Sequence, residues 1–262
     1  MNTLAPGLAD LRSAWKRRQL ALYFAWTETL ARYRRSVLGP LWLVFSTVIG
    51  VVGLGFVWST LLQVQQREFI PSLTVGLVTW QLISGSIVEA TGLFPNNSSL
   101  ILNIKLPTFL ISLQLLFRHL INYAHNLIVI AVVLVVYPEH LTPMVLLAVP
   151  GMAIVAASLF GAIQILGFLG ARYRDLGPLV GAFMPILFFL SPVIYQSRQL
   201  GQAQFIMEFN PLAHWIRLVR DPVLGFAPGP DSYAIGLAIM AGIWLLAVWV
   251  TSARGHRLPY WV

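Results

Sequence analysis

The sequence predicts an all-α integral membrane protein with six transmembrane helices behind an N-terminal amphipathic helix. Two observations carry this expectation. Hydrophobic residues make up 58% of the 262, charged residues 10%, and the mean hydropathy is +0.77, which leaves too little polar surface to cover a soluble globule. The apolar residues also gather into runs of about twenty, the length that crosses a bilayer as a helix. The formal charge of +8 sits between these runs, so no nucleic acid is expected as a partner. The absence of cysteine excludes disulfides, thiolate metal sites and cysteine nucleophiles.

Residues 1–40 form the first unit. Leu11, Trp15, Leu22, Trp26 and Tyr33 recur at steps of seven or four, while Arg12, Lys16, Glu28, Arg32 and Arg35 fall elsewhere. Residues 8–35 are therefore predicted as one amphipathic helix along the membrane surface, its basic residues reaching lipid phosphates. It serves either as a basic anchor or as a collar for a partner. No uninterrupted h-region or small-residue cleavage site is present, so no signal peptide is read. Gly39-Pro40 ends the helix and turns the chain into residues 41–262, the transmembrane unit.

The first span, about 41–63, carries Gly50, Gly53 and Gly55, which permit close helix approach, with Trp42, Phe45, Phe56 and Trp58 around them. The second, about 72–92, is polar in its later half through Gln81, Ser84, Ser86 and Glu89. Phe94 to Ser99 breaks the pattern, and Leu100 to Lys105 makes a short stub with Asn and Ser as its N-cap. The third span, about 109–137, contains Arg118, whose charge either snorkels to the interface or pairs with Glu89. Glu89 reads as a structural carboxylate rather than a proton carrier, and His119 and His125 lack the company of a metal site. The fourth span, about 144–170, has Gly161, Gly167 and Gly170 with Gln164. Arg172, Arg174 and Asp175 form a charged knot before the fifth span, about 177–195. Its Phe183, Phe188 and Phe189, with Pro185 and Pro192, suit a wall better than a simple anchor. Residues 196–231 are never apolar long enough to cross and read as two short helices broken at Asn210-Pro211, half re-entrant into the outer leaflet. The sixth span, about 232–252, ends in a basic tail.

Six spans put both termini on one side. The segments on that side hold twelve Lys and Arg, and the opposite loops hold Arg67, Arg198, Arg217 and Arg220. Both termini are therefore expected in the cytoplasm, with the chain in the bacterial inner membrane. No phosphate-binding loop, H-E-x-x-H or G-x-S-x-G occurs, and Lys16 and Lys105 are the only lysines. Glu89 alone is a thin basis for ion coupling. If the chain moves a substrate, the energy comes from a second polypeptide.

Arg32-Tyr33-Arg34-Arg35-Ser36-Val37-Leu38-Gly39-Pro40-Leu41-Trp42, Lys105-Leu106-Pro107, Arg172-Tyr173-Arg174-Asp175-Leu176, Ser191-Pro192-Val193-Ile194-Tyr195 and Asn210-Pro211-Leu212, with Arg217 and Arg220-Asp221 beyond, follow one another over nearly the whole chain. In this order they resemble the six-span permease subunits of ABC transporters that export polysaccharides, O-antigen above all. The capsule and teichoic-acid branches share much of the pattern.

The resemblance implies a homodimer around a channel, with two copies of an ATP-binding subunit beneath it that hold ATP and magnesium; this chain itself holds no cofactor or metal. It implies that the stub couples to the ATPase through Asn96, Asn97, Leu100, Asn103 and Lys105. Outer gate helices would carry Asn210, Pro211, Trp215, Arg217 and Arg220. The first and fifth spans would line the passage with Trp42, Phe45, Phe56, Phe183, Phe188, Phe189 and Tyr195. Aromatic faces stack on the C–H faces of sugar rings while bridging waters serve the hydroxyls; the same rings equally suit packing between helices. Arg172 and Arg174 either follow the positive-inside bias or meet the pyrophosphate of a polyprenyl-pyrophosphate-linked polysaccharide, with Asp175 steadying one of them. The alternatives are a drug or small-lipid exporter permease, which often carries a large outer loop that is compact here, and a membrane-embedded enzyme acting on polyprenyl lipids, which needs an acid pair or metal cluster that the sequence does not offer.

Overall fold

The computed structural model describes residues 4–34, 36–39, 41–61, 63–140, 142–195 and 209–262, and every regular element among them is helical. In chain order these are α1 (Ala5–Lys16), α2 (Arg18–Tyr33), α3 (Leu41–Leu61), α4 (Gln66–Ala90), α5 (Leu93–Asn96), α6 (Ser98–Asn103), α7 (Thr108–Val136), α8 (Ala148–Arg172), α9 (Leu176–Leu190), α10 (Pro211–Val223) and α11 (Pro230–Arg254). Among the described residues, five segments are long and apolar enough to cross a membrane: Leu41–Leu61, Gln66–Ala90, Thr108–Val136, Pro143–Arg172 and Asp231–Tyr260. They correspond to the expected first, second, third, fourth and sixth spans.

Of the expected fifth span, 177–195, the helix covers residues 176–190. Its helix, α9, has 15 residues, about 22 Å at 1.5 Å per residue, against a hydrocarbon core of ~30 Å. The helix stops because Pro192 has no amide proton to continue the ladder, so 191–195 folds as a turn. The first of the two short helices expected after it falls at 196–208, outside the described residues, as do Arg35, Pro40 and Arg198. The second is α10.

The expected single helix over 8–35 is corrected. Arg17 leaves the helical region with ψ 19° and separates α1 from α2. The break follows from two docking targets. Gly7 and Ala14 bury α1 beside α11, while Ala21, Ala25 and Thr29, spaced four apart, bury α2 on α7. A Cβ on Gly7 would lie 2.4 Å from the Val248 carbonyl oxygen, so only glycine permits this approach.

α4 is the centre of the bundle, buried at every position from Pro71 to Trp80, and packs on α3, α7, α8 and α10. The small residues of α8 have the packing role expected of them. A Cβ on Gly170 would lie 1.8 Å from the Thr91 carbonyl oxygen, which brings the end of α4 against the end of α8. Phe94 of α5 is fully buried and meets Phe168 edge-on at 5.0 Å, so α5 is plugged into the bundle. α6 buries none of its residues.

These contacts sort the helix ends into two faces. α1, α2, α5, α6, the 173–175 turn and the C-terminal residues share the face that carries both ends of the described chain; Arg172, for instance, lies over the Trp261 ring at 5.4 Å. On the opposite face, α10 packs on α8 and on the turn Pro143–Leu147 that precedes it.

Candidate functional site

The sequence-predicted lining residues do not behave as a set. On α3 only Thr47, Val51, Gly55 and Ser59, one residue per turn, are buried against the bundle. Trp42, Phe45 and Phe56 point away from it, with Trp42 and Phe45 edge-on at 6.2 Å. On α9 only Met184 is buried; Phe183 and Phe189 are exposed. Phe188 turns inward and meets Trp80 of α4 edge-on at 5.6 Å. The Tyr195 hydroxyl donates to the Phe189 carbonyl at 2.7 Å, tying the turn back to α9. A groove of about 590 Å³ runs between α4 and α9, with Trp80, Ser84, Glu89, Phe188 and Phe189 on its walls.

At the inner end of that groove lies a charged cluster. Arg118 of α7 pairs with Glu28 of α2 through one guanidinium nitrogen and with Glu89 of α4 through another. Gln114 adds a donor to Glu28 at 3.1 Å, and His119 Nε2 stands 3.4 Å from Glu89 without hydrogen-bond geometry. The pairing of Arg118 with Glu89 follows from the cost of a lone charge in a span. Glu28 is the member the sequence left unassigned, because on a surface helix a carboxylate on the polar face needs no partner. The cluster borders a cavity of about 300 Å³ that also reaches Arg32 of α2 and Asn96 and Asn97 beside the stub.

A second polar cluster fixes the other end of the stub. Asp10 of α1 accepts the backbone amides of Thr108 at 2.9 Å and Phe109 at 3.0 Å, and the Thr108 hydroxyl at 3.3 Å. A carboxylate from a distant helix thus caps the first turn of α7, where amides have no intrahelical acceptor. Burial pushes the Asp10 carboxyl above its ordinary value, and the amides of Phe109 and Thr108 oppose part of that rise. Gln164 of α8, fully buried, donates to the hydroxyls of Thr108 at 2.8 Å and Thr251 of α11 at 2.9 Å and accepts from Ser112 at 2.5 Å. No sequence signal marks Asp10 or Thr251, since their partners are about 100 and 87 residues away.

The stub presents Asn96, Asn103 and Lys105 to solvent, with Leu100 and Asn97 half-buried. Asn97 occupies the N-cap position of α6 but sends its amide back to the Leu93 carbonyl at 2.8 Å, so the expected side-chain cap is not made. In the knot, Arg172, Arg174 and Asp175 are all exposed, and among the described residues no ion pair joins Asp175 to either arginine.

The residues expected at an outer gate divide in two. Asn210 caps α10 by accepting the Leu212 amide at 3.0 Å and donates to the Ser191 hydroxyl at 3.0 Å and the Leu190 carbonyl at 3.2 Å. Pro211 opens α10 and is exposed. Arg220 is buried and donates to the carbonyls of Pro192 and Tyr195, with Asp221 as its counter-ion at 3.2 Å. Arg217 is half-buried and stands 3.7 Å from Asp221, and Trp215 is buried in the bundle. Asn210 and Arg220 together clasp the 191–195 turn onto α10.

The bundle thus leaves aromatic rings of α3 and α9 uncovered and the stub α6 exposed. Comparison with known proteins gives the family. The O-antigen export system permease protein RfbA of Klebsiella pneumoniae is 28% identical over 195 residues, covering 72% of this chain and 74% of its own length. A second Klebsiella pneumoniae protein of that name is 26% identical, covering 74% and 78%. The Myxococcus xanthus protein of that name is 25% identical, covering 77% and 79%. Residues 19–224 match the ABC-2 type transporter family, and the chain belongs to that family as a multi-pass membrane permease.

Proposed function

We propose that the chain is the channel-forming subunit of an ATP-driven exporter that carries a lipid-linked polysaccharide, O-antigen in the first place, from the cytoplasmic side across the inner membrane. The observation that carries this reading is the uncovered aromatic rings on α3 and on α9 of a chain whose relatives are named as O-antigen export permeases over 72–77% of its length. Trp42, Phe45, Phe56, Phe183 and Phe189 hold sugar rings weakly at many positions, which lets a glycan slide. Two copies of the chain enclose the passage, α9 with the 191–195 turn makes a sixth crossing, and α10 serves as an outer gate helix. Both termini are cytoplasmic. Two ATP-binding subunits, which hold the ATP and magnesium, dock on α6. Arg172 and Arg174, exposed and without an ion-pair partner among the described residues, meet the pyrophosphate of the polyprenyl carrier, guanidinium forks being suited to phosphate oxygens.

The test is co-purification with the ATPase and hydrolysis measured against polyprenyl-pyrophosphate-linked glycan. Glycan is expected to stimulate hydrolysis. R172Q/R174Q is expected to impair export with assembly intact, and Leu102→Asp on the exposed face of α6 to abolish assembly. Stimulation by lipophilic drugs and not by glycan would overturn the substrate; normal export by R172Q/R174Q would remove the arginines from it.

A further inference from the structure

Beside α1 lies a groove of about 1230 Å³, walled by α1, α7, α8 and α11. On the α1 side it presents Ala5, Leu8 and Ala9, then Arg12, Trp15 and Lys16. α1 therefore has two working faces. One, with Gly7, Asp10 and Ala14, is fixed to the bundle. The other, with Leu8 53% and Trp15 56% exposed, overlooks the groove.

The far walls are apolar and run deep. Phe117 lies nine residues into α7, about 14 Å from its start, and Trp244 ten residues from the end of α11, about 15 Å. Ala156 and Ala157 leave space on α8, some 15 residues before its end. Phe160 and Trp244 meet edge-on at 5.2 Å on its wall. The groove thus begins at α1 and descends about 14 to 24 Å along these helices, at least half of a ~30 Å hydrocarbon core.

Its mouth is cationic. Arg12 and Lys16, four residues apart, stand on one side of α1, and among the described residues neither has an ion-pair partner. The one carboxylate of α1, Asp10, is committed to the amides of α7. Trp15 beside them is the residue type that settles at the headgroup level. An apolar slot at least one leaflet deep with two unneutralised cations and a tryptophan at its mouth has the chemistry of one occupant.

We propose that this groove is a binding site for an anionic phospholipid of the surrounding bilayer, with an acyl chain between α1 and the α7–α8–α11 wall and the headgroup phosphate on Arg12 and Lys16. Such a lipid acts as a filler that holds α1 in place, and it makes the position of α1 responsive to membrane charge.

The test uses the purified full-length chain and native mass spectrometry with dioleoylphosphatidylglycerol and dioleoylphosphatidylcholine. Wild type is expected to prefer the glycerol lipid about thirty-fold, the product of two basic contacts at the membrane surface. R12Q/K16Q is expected to lose that preference, and R12K/K16R to keep it. These positions are exposed, so neither variant threatens folding. Phosphatidylglycerol with a diazirine on its acyl chain is expected to label residues 113–117 or 156–160, and Ala157→Phe to suppress the labelling. An unchanged lipid preference in R12Q/K16Q overturns the proposal, as does labelling confined to α3 or α9. Displacement of phosphatidylglycerol from residues 113–117 by polyprenyl phosphate at equal concentration overturns it in favour of the carrier lipid.

Discussion

Among the described residues Arg118 is the one cation whose ion pairs join α2, α4 and α7, so its removal has a cost that can be worked out. In Arg118→Met the side-chain volume is roughly kept, but Glu28 and Glu89 lose their shared counter-charge. Breaking a fully buried ion pair from one side costs about 3–5 kcal/mol, because the remaining charge is stranded. The Arg118 side chain is 12% exposed but the two carboxylates are 41% and 38% exposed. Water therefore retains part of their solvation, and the expected loss is about 2–3 kcal/mol. A detergent melt followed by tryptophan fluorescence should show a midpoint lower by about 5–10 °C. The discriminating variant is the triple neutral, R118M/E28Q/E89Q. With no charge left to strand, it should recover most of the loss, although it contains more substitutions. A triple variant no more stable than R118M would mean that Arg118 works by packing its stem, and the electrostatic account would be wrong.

Three further outcomes follow from single contacts. Gly170→Ala forces a methyl against the Thr91 carbonyl and should destabilise the bundle by about 1–3 kcal/mol in the same melt. Asp10→Ala should free the first turn of α7 at a cost of about 1–2 kcal/mol, with Asp10→Asn losing less because one acceptor remains; the substitution Ala14→Cys, which gives this cysteine-free chain a single thiol, reports α1 release by its labelling rate relative to a free thiol. Because burial raises the Asp10 carboxyl, the docked chain binds its proton more tightly than the released one. Docking is therefore strengthened as pH falls through the window just above 3.8 and loses that gain as pH rises out of it, so labelling of the Ala14→Cys variant should not accelerate between pH 7 and 5. Arg220→Met should leave the carbonyls of Pro192 and Tyr195 without their donor, which hydrogen exchange would register as lost protection in 191–195 with α4 unchanged.

The apolar runs were legible because lipid leaves the backbone no alternative to helix. The Glu89–Arg118 pair was legible for a related reason: a charge in a span must find a partner, and few were available. What escaped had its cause elsewhere in the chain. Arg17 breaks a helix without glycine or proline because α1 and α2 dock on different neighbours. Asp10 looked like any surface acid until α7 brought its amides to it. Trp215 and Arg220 lie on an amphipathic helix whose pattern fits an outer surface as well as the bundle interior they occupy. The aromatic set of α9 read alike along the sequence, but the helix turns Phe188 in and Phe183 and Phe189 out.

The two polar clusters acquire a common sense from where they fall. The stub α5–α6 lies between the end of α4 and the start of α7. Glu89 in the last turn of α4 is held to α2 through Arg118, and Thr108 in the first turn of α7 is held to α1 through Asp10. Gly170 and Phe168 of α8 grip the same region through Thr91 and Phe94. A force applied at the exposed α6 is therefore delivered to α4, α7 and α8 together, with α1 and α2 as braces that keep those ends from yielding separately. α3 touches this body along one small residue per turn, and α9 buries Met184 alone. Relative motion costs least where the least surface is buried, so displacement of the stub should appear as sliding of α3 and α9 against a body that keeps its shape. If an ATPase docks on α6 as proposed, spin-label distances across α4 and α8 should stay constant through its cycle while those from α3 or α9 to α4 change; a change across α4 and α8 of equal size would mean that the braces do not hold.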